Sequence, residues 1–228
     1  MKLSIVIPVL DEAAGIESAL QALSTYRTRG VEVIVVDGGS RDGTVGLSCP
    51  FVDQVVSTPR GRAVQMNAGA AAARGNILLF LHADTRLPDD ADRMVIDGLA
   101  CSSRVWGRFD VRFDSGGLMR FVAAMMNLRS RLTGIATGDQ AIFVTRTTFA
   151  AAGGFPPIAL MEDVALSARL KRIGRPLSSR ARVTTSARRW RGHGTLRTLL
   201  LMWRLRLSYF LGADPAKLAQ SYGHAAEP

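Results

Sequence analysis

The chain has 228 residues, 47% hydrophobic and 21% charged, the proportions of an ordinary soluble globular protein with core material for one large domain or two small ones. Its two cysteines, Cys49 and Cys101, exclude a disulfide framework and lack paired metal-binding spacing; they read as packing residues in a reducing, cytosolic compartment. The formal charge of +10 is concentrated: residues 164–213 hold twelve Lys or Arg and no Asp or Glu, leaving 17 basic against 19 acidic residues elsewhere. A basic C-terminal part suits nucleic acid, anionic lipid head groups or a phosphorylated substrate, and composition does not choose among them.

In chain order, Leu3 to Val9 and Val31 to Val36 are apolar, β-branched runs that predict buried parallel strands. No signal peptide is read, because Pro8 and Asp11 interrupt the first run and no small-residue cleavage pattern follows. Between the strands Ile16, Ala19, Leu20 and Leu23 recur at helical spacing, with Asp11 and Glu12 near the helix start where negative charge is favoured. A weaker strand at Gln54 to Ser57, an Ala-rich helix from about Ala63 to Ala73 and a strand from Ile77 to Leu81 follow. Strands alternating with helices predict a right-handed, doubly wound sheet, in which ligands collect beyond the carboxyl ends of the parallel strands.

After residue 100 the period changes. Phe109, Val111 and Phe113 alternate with Arg108, Asp110 and Arg112, predicting an antiparallel or edge strand with one wet face and hence a mixed sheet. An apolar helix from about Leu118 to Leu132, a short strand from Ala141 to Val144 and a helix opening near Glu162 come next. Residues 195–211 predict a further apolar helix, broken by Arg197, Arg204 and Arg206 and so too charged to span a bilayer. Arg206 falls opposite the other two, and the apolar surface suits packing within the protein, a membrane interface or a second subunit. The expectation is one α/β domain over residues 1–212, with 213–228 as a tail; residues 1–100 and 101–194 each build part of one site.

Five segments carry chemistry-bearing residues. Ile7-Pro-Val-Leu-Asp-Glu12 ends a strand in carboxylates. Val35-Val-Asp-Gly-Gly-Ser-Arg-Asp-Gly-Thr44 does so again at Asp37, with glycines that let a ligand approach the backbone. Gly61-Arg-Ala-Val-Gln-Met-Asn-Ala-Gly69 sets Arg62, Gln65 and Asn67 at a helix start, where backbone N–H groups and a guanidinium favour phosphate. Ile77 to Asp84 runs from a buried strand into His82 and Asp84. Thr137-Gly-Asp-Gln-Ala-Ile-Phe-Val144 and Gly153 to Leu170, with Glu162-Asp163 heading a helix, complete the set. No Gly-x-Gly-x-x-Gly follows the first strand and no Gly-Lys-Ser/Thr occurs, so dinucleotide-dependent hydride transfer and P-loop NTPase chemistry are poorly supported. Taken singly, Asp84 equally suits a turn before Pro88, and Glu162-Asp163 suits ordinary helix N-terminal electrostatics.

The ordered set resembles the family-2 glycosyltransferases, the inverting group with the GT-A fold, over almost the whole chain. That resemblance implies a Rossmann-like, mixed but mostly parallel sheet flanked by helices, and transfer of a sugar from a nucleoside-diphosphate sugar, with UDP favoured. It would place Pro8, Asp11, Glu12, Gly39, Arg62 and Asn67 near the nucleotide sugar and have Asp37 read a base edge such as uracil N3–H. Asp84 would ligate Mg²⁺ or Mn²⁺ on the diphosphate, a duty that suits hard oxygen ligands. Gly138, Asp139 and Gln140 would meet the acceptor. Asp163, with Glu162 as the less favoured choice, would be the general base; inversion needs one base because no covalent sugar intermediate forms.

Two positions depart from the family pattern. His82 stands where the metal motif usually has Asp, so its imidazole either joins Asp84 on the cation or hydrogen-bonds the phosphate. Ser186-Ala-Arg-Arg-Trp190 lacks the Gln of the Gln-x-x-Arg-Trp motif of processive members, which speaks against polymer synthesis. Arg188, Arg189 and Trp190 would still clamp a diphosphate or stack on an acceptor, and His193 either approaches the diphosphate or lies on the surface. The short form is similar to a subgroup that includes arsenosugar assembly, implying a small acceptor; a lipid-linked one is the other expectation, with a cytoplasmic protein resting peripherally on the inner face of the membrane, a homodimer through residues 195–211, and no nucleic-acid partner. The alternatives are a nucleotidyltransferase on a similar sheet and a non-catalytic basic module that binds membrane or nucleic acid.

Overall fold

The β-branched runs form β1 (Leu3–Val9), β2 (Glu32–Asp37), β3 (Gln54–Ser57) and β4 (Ile77–Phe80), which pair in parallel in the computed structural model, where residues 1–187 and 195–223 are described. With β5 (Thr85–Arg86), β6 (Trp106–Phe113), β7 (Phe143–Thr145) and β8 (Leu177–Thr185) they make one eight-stranded sheet in the order β3-β2-β1-β4-β7-β6-β8-β5. β7 runs antiparallel to both β4 and β6, β5 is antiparallel to β8, and β6 and β8 are parallel, so the sheet is mixed.

Alternation along β1 sends Ile5 and Ile7 to one face and Val6 to the other, and each face has its own core. Ile5, Ile7, Val33 and Leu79 pack with Ile16 and Leu20 of α1 (Ala13–Gln21), with Val95 of α5 (Ala91–Ala100) and with Val122 of α6 (Leu118–Thr133). Val6, Val36 and Leu78 pack with Met66 of α4 (Arg62–Ala72), Phe149 of α7 (Arg146–Ala151) and Leu166 of α8 (Glu162–Ile173). The short helices α2 (Ser24–Thr28) and α3 (Thr44–Ser48) complete the N-terminal half. α4 lies close enough to the sheet that a Cβ on Gly69 would overlap the side chains of Val6 and Val36. That close approach gives Gly69 a packing reason to be glycine.

Several expectations change. On β6 Arg112 is exposed as expected, but Arg108 and Asp110 on the same face are buried and ion-paired to each other, and Arg131 of α6 reaches the same carboxylate at 2.6 Å. Their polar groups are covered by α6, not by water. β7 accompanies β6 only as far as Gly107, and beyond it Asn127 of α6 substitutes for a neighbouring strand, bonding the Val111 N–H and C=O at 2.9 Å each. The period-two pattern of Phe109, Val111 and Phe113 thus identified a strand correctly but not its cover. Cys49 and Cys101 are exposed free thiols, not packing residues.

The C-terminal apolar segment is helical, as α9 (Thr195–Phe210), and is followed by a second helix, α10 (Pro215–Ser221). Leu218 and Ala219 of α10 and Leu205 of α9 are buried in a third cluster with Ile135, Met161 and Val164. Leu200, Trp203, Leu207 and Phe210 of α9 are exposed. One stripe of α9 therefore packs internally and the opposite stripe is bare. Among the described residues no helix is long and apolar enough to cross a membrane.

Candidate functional site

At the carboxyl ends of β1 and β2 the carboxylates are occupied with one another's loops. Asp11 accepts from the Arg41 N–H at 2.8 Å while its own N–H donates to Ser40 Oγ at 2.9 Å. Asp42 accepts from the Ala13 and Thr44 N–H groups, each at 3.0 Å, and Thr44 Oγ1 accepts from the Glu12 N–H at 2.8 Å. Asp37 is buried and accepts from the N–H groups of Gly39 at 3.0 Å and Ser40 at 3.1 Å, closing its own turn. Gln65 ties α4 to this edge by donating to the Val9 and Val36 carbonyls at 2.8 Å each.

The end of β4, the turn at 137–140 and the start of α8 meet beside this edge. His82 Nδ1 lies 3.4 Å from Asp139 Oδ1, and its Nε2 is buried against Gly138, where an added Cβ would strike the ring, without a hydrogen-bond partner among the described residues. The Gly138 N–H donates to Asp163 Oδ2 at 2.6 Å, and the Val164 N–H donates to Asp163 Oδ1 at 2.7 Å. The turn is thus held between the imidazole of one segment and the carboxylate of another. Among the described residues the non-glycine positions with positive φ are Asp11 (51°), Ala141 (46°) and Met161 (70°), each adjoining this assembly, where local strain of about 1–3 kcal/mol per residue is commonly stored.

These elements enclose a cavity of about 940 Å³. Pro8, Glu12, Arg62, His82, Asp84, Asp139, Glu162 and Asp163 all line it. Asp11, Asp37, Gly39, Asn67, Gly138 and Gln140 do not. The Asn67 amide is spent on the Phe155 backbone, donating to its C=O at 2.8 Å and accepting from its N–H at 2.9 Å, and Gln140 is buried with its Oε1 accepting from the Thr137 N–H at 3.3 Å. Both hold loops in place. Arg188, Arg189, Trp190 and His193 lie outside the described residues.

Glu162 is almost fully buried 3.6 Å from Arg62 Nη1. Burial, and next the charge of Asp163, push its carboxyl above the ordinary range. Burial works against the charge of Arg62, yet Glu162, Asp163 and Asp139 together hold its guanidinium above the usual value. Burial likewise opposes ionisation of Asp139, and His82, Arg62 and Arg206 overcome it, so that its carboxyl stays below the usual range.

Asp84 is exposed to the cavity, and its Oδ1 accepts from Thr85 Oγ1 at 3.3 Å. Among the described residues no three His, Cys, Asp or Glu side chains gather tightly enough to hold a metal ion by themselves. One open carboxylate fits a hard cation that takes its other ligands from water and substrate phosphates, as Mg²⁺ commonly does. His82 fits less well, since both ring nitrogens face residues 138–139.

Sequence reading did not anticipate Arg129 of α6, or Trp203 and Arg206 of α9, in the cavity wall. For Arg129 a signal existed: three residues beyond buried Met126, it continues the inward face of an apolar helix. Arg206 carried a similar one, standing opposite Arg197 and Arg204 on its helix.

Residues 4–153 match the family model described as Glycosyl transferase family 2. The chain is 30% identical over 149 residues to the undecaprenyl-phosphate 4-deoxy-4-formamido-L-arabinose transferase of Pseudomonas paraeruginosa, covering 60% of this chain and 44% of that protein. It therefore spans less than half the length of that relative. The fold is similar to the mannosyltransferase PcManGT from Pyrobaculum calidifontis in complex with GDP-Man and Mn2+, with a TM-score of 0.68 and 21% identity over 99% of this chain and 65% of that one. It is also similar to S. aureus TarS 1-349 in complex with UDP-GlcNAc, with a TM-score of 0.68 and 17% identity over 82% of this chain and 59% of that one. With the mixed sheet and the convergence of its five segments, these matches establish that the chain has the GT-A fold and belongs to glycosyl transferase family 2.

Proposed function

We propose that this protein transfers a glycosyl group, with inversion and once per acceptor, from a nucleoside-diphosphate sugar to a hydroxyl of a small or lipid-linked acceptor. The observation that carries the reading is the shared cavity, in which Asp84 at the end of β4 and Glu162-Asp163 at the head of α8 line one chamber. Donor phosphates sit toward Arg62 at the start of α4, where a guanidinium and helix N–H groups favour them. A Mg²⁺ or Mn²⁺ ion held by Asp84 and the diphosphate would offset the charge on the departing nucleoside diphosphate. Asp37 serves by fixing the 38–40 turn at the base side, its carboxylate being engaged there.

Asp163 is the base. Two backbone N–H groups fix the orientation of its carboxylate, and its oxygens keep lone pairs for an acceptor hydroxyl. As the acceptor oxygen bonds the anomeric carbon, its proton passes to Asp163, the carbon–phosphate oxygen bond breaks and the nucleoside diphosphate leaves. Glu162 buttresses Arg62, lying 3.6 Å from its Nη1. Incubation with UDP- and GDP-sugars and Mn²⁺ tests the reading. Release of nucleoside diphosphate that depends on Asp84 and Asp163 supports it; release of pyrophosphate, or none of either product, contradicts it.

A further inference from the structure

Arg129 and Arg206 line the cavity from two different helices, and their guanidinium groups are underbonded in a way the transfer reaction above leaves unexplained. Among the described residues, Arg129 Nε and Nη2 and Arg206 Nε are buried with no hydrogen-bond partner, and Arg129 Nη1 reaches only the Ile135 carbonyl, at 3.4 Å. Burial, followed by the charge of Arg206, pushes the Arg129 guanidinium down to about 10, and Asp163 partly offsets this. Two cations repelling each other with orphan N–H donors form a costly arrangement unless an anion completes it. The wall beside them is apolar, built by Val122, Met125 and Met126 of α6 and Leu199 and Met202 of α9.

We infer that Arg129 and Arg206 form a subsite for an anionic phosphoryl group carried by the acceptor, an anchor distinct from the hydroxyl presented to Asp163. The term acceptor rests on the glycosyl-transfer reading; the anion subsite does not. Phosphoryl oxygens match a guanidinium fork and accept several charge-assisted bonds at once. The position fits the acceptor side: Arg129 and Arg206 stand on α6 and α9, beside the apolar wall those helices build, whereas Arg62, on α4, serves the donor phosphates in the reading above. The phosphoryl group can belong to a small metabolite or to a lipid head group.

Calorimetric titration of the full chain with glycerol 3-phosphate and with dodecyl phosphate, against glycerol and dodecanol, separates these sources. At least one phosphate probe should bind more tightly than its neutral counterpart, and R129Q and R206Q should each weaken it about tenfold or more. R129K, which keeps the charge, should retain part of the affinity, and melting temperatures identify any variant that fails to fold. UDP or GDP with Mn²⁺ should bind all three variants within about twofold of wild type. The subsite is refuted if neither phosphate probe outbinds its neutral counterpart, or if both Gln variants keep wild-type phosphate affinity. Loss of nucleotide affinity in the Gln variants assigns the pair to the donor diphosphate and overturns the proposal. Phosphate binding without any nucleotide binding keeps the subsite and overturns the transfer reading.

Discussion

The two sides of the cavity treat their polar groups in opposite ways. On the β1–β2 side, Asp11 and Asp42 accept from backbone N–H groups of neighbouring loops and Asp37 from those of its own turn, so that their carboxylates build a rigid edge. On the side made by α6, α8 and α9, burial raises the Glu162 carboxyl above the ordinary range, and Arg129 and Arg206 keep N–H groups without a partner among the described residues. Satisfied polar groups make a scaffold, whereas unsatisfied ones in a concave site mark where a ligand completes the structure. Acidic residues that look alike in sequence therefore divide into those that shape the cavity and those that face into it.

The sharpest way to break this division is D163N. It should lower transfer by about 10²- to 10⁴-fold while nucleotide affinity stays near wild type, as product-release kinetics and calorimetry would show together. A comparable loss of nucleotide binding would place Asp163 on the scaffold side. Chelation of divalent cations with EDTA should reduce donor turnover by about tenfold or more, a barrier change of about 1.4 kcal/mol or greater, and added Mn²⁺ should restore it. Turnover indifferent to chelation would remove the cation from the account.

Scaffold residues should instead affect stability. N67A deletes both bonds to the Phe155 backbone and should cost about 1–3 kcal/mol in denaturant unfolding, with a smaller effect on the nucleotide affinity of the remaining folded protein. The smallest effect concerns pH. Since the Glu162 carboxyl is held above its ordinary 4.5 by burial and then by Asp163, its stabilising share is complete below that value and is lost as pH rises through the folded-state pKa. Relative to E162Q, wild type should lose melting temperature as pH is raised. A gap that stays constant with pH would mean that Glu162 titrates alike in folded and unfolded chains.

Much of the parallel half was legible because β1, β2 and β4 are continuous apolar runs, a pattern produced by burial on both faces. β8 was missed because Leu177–Thr185 is half-exposed and interrupted by Arg180 and Arg182. Charge hid its strand character, just as buried Arg108 and Asp110 made β6 look half wet. In the site, proximity in sequence revealed pairs such as Glu162-Asp163, but convergence of His82, Gly138 and Asp163 depends on β7 entering antiparallel beside β4. No local pattern encodes that pairing. Asn67 and Asp37 show the converse limit, since residue type and strand-end position do not say whether a side chain faces a ligand or its own backbone.

In the proposed transfer, Asp84 and the cavity behind it receive a nucleoside diphosphate together with a divalent cation. Titration of wild type and D84A with UDP and GDP, with and without Mn²⁺, tests this most directly. At least one nucleotide should bind wild type in a Mn²⁺-dependent manner, and D84A should weaken that binding about tenfold or more without lowering the melting temperature of the unliganded protein. Failure of both nucleotides to bind, or binding that ignores both Mn²⁺ and Asp84, would contradict it.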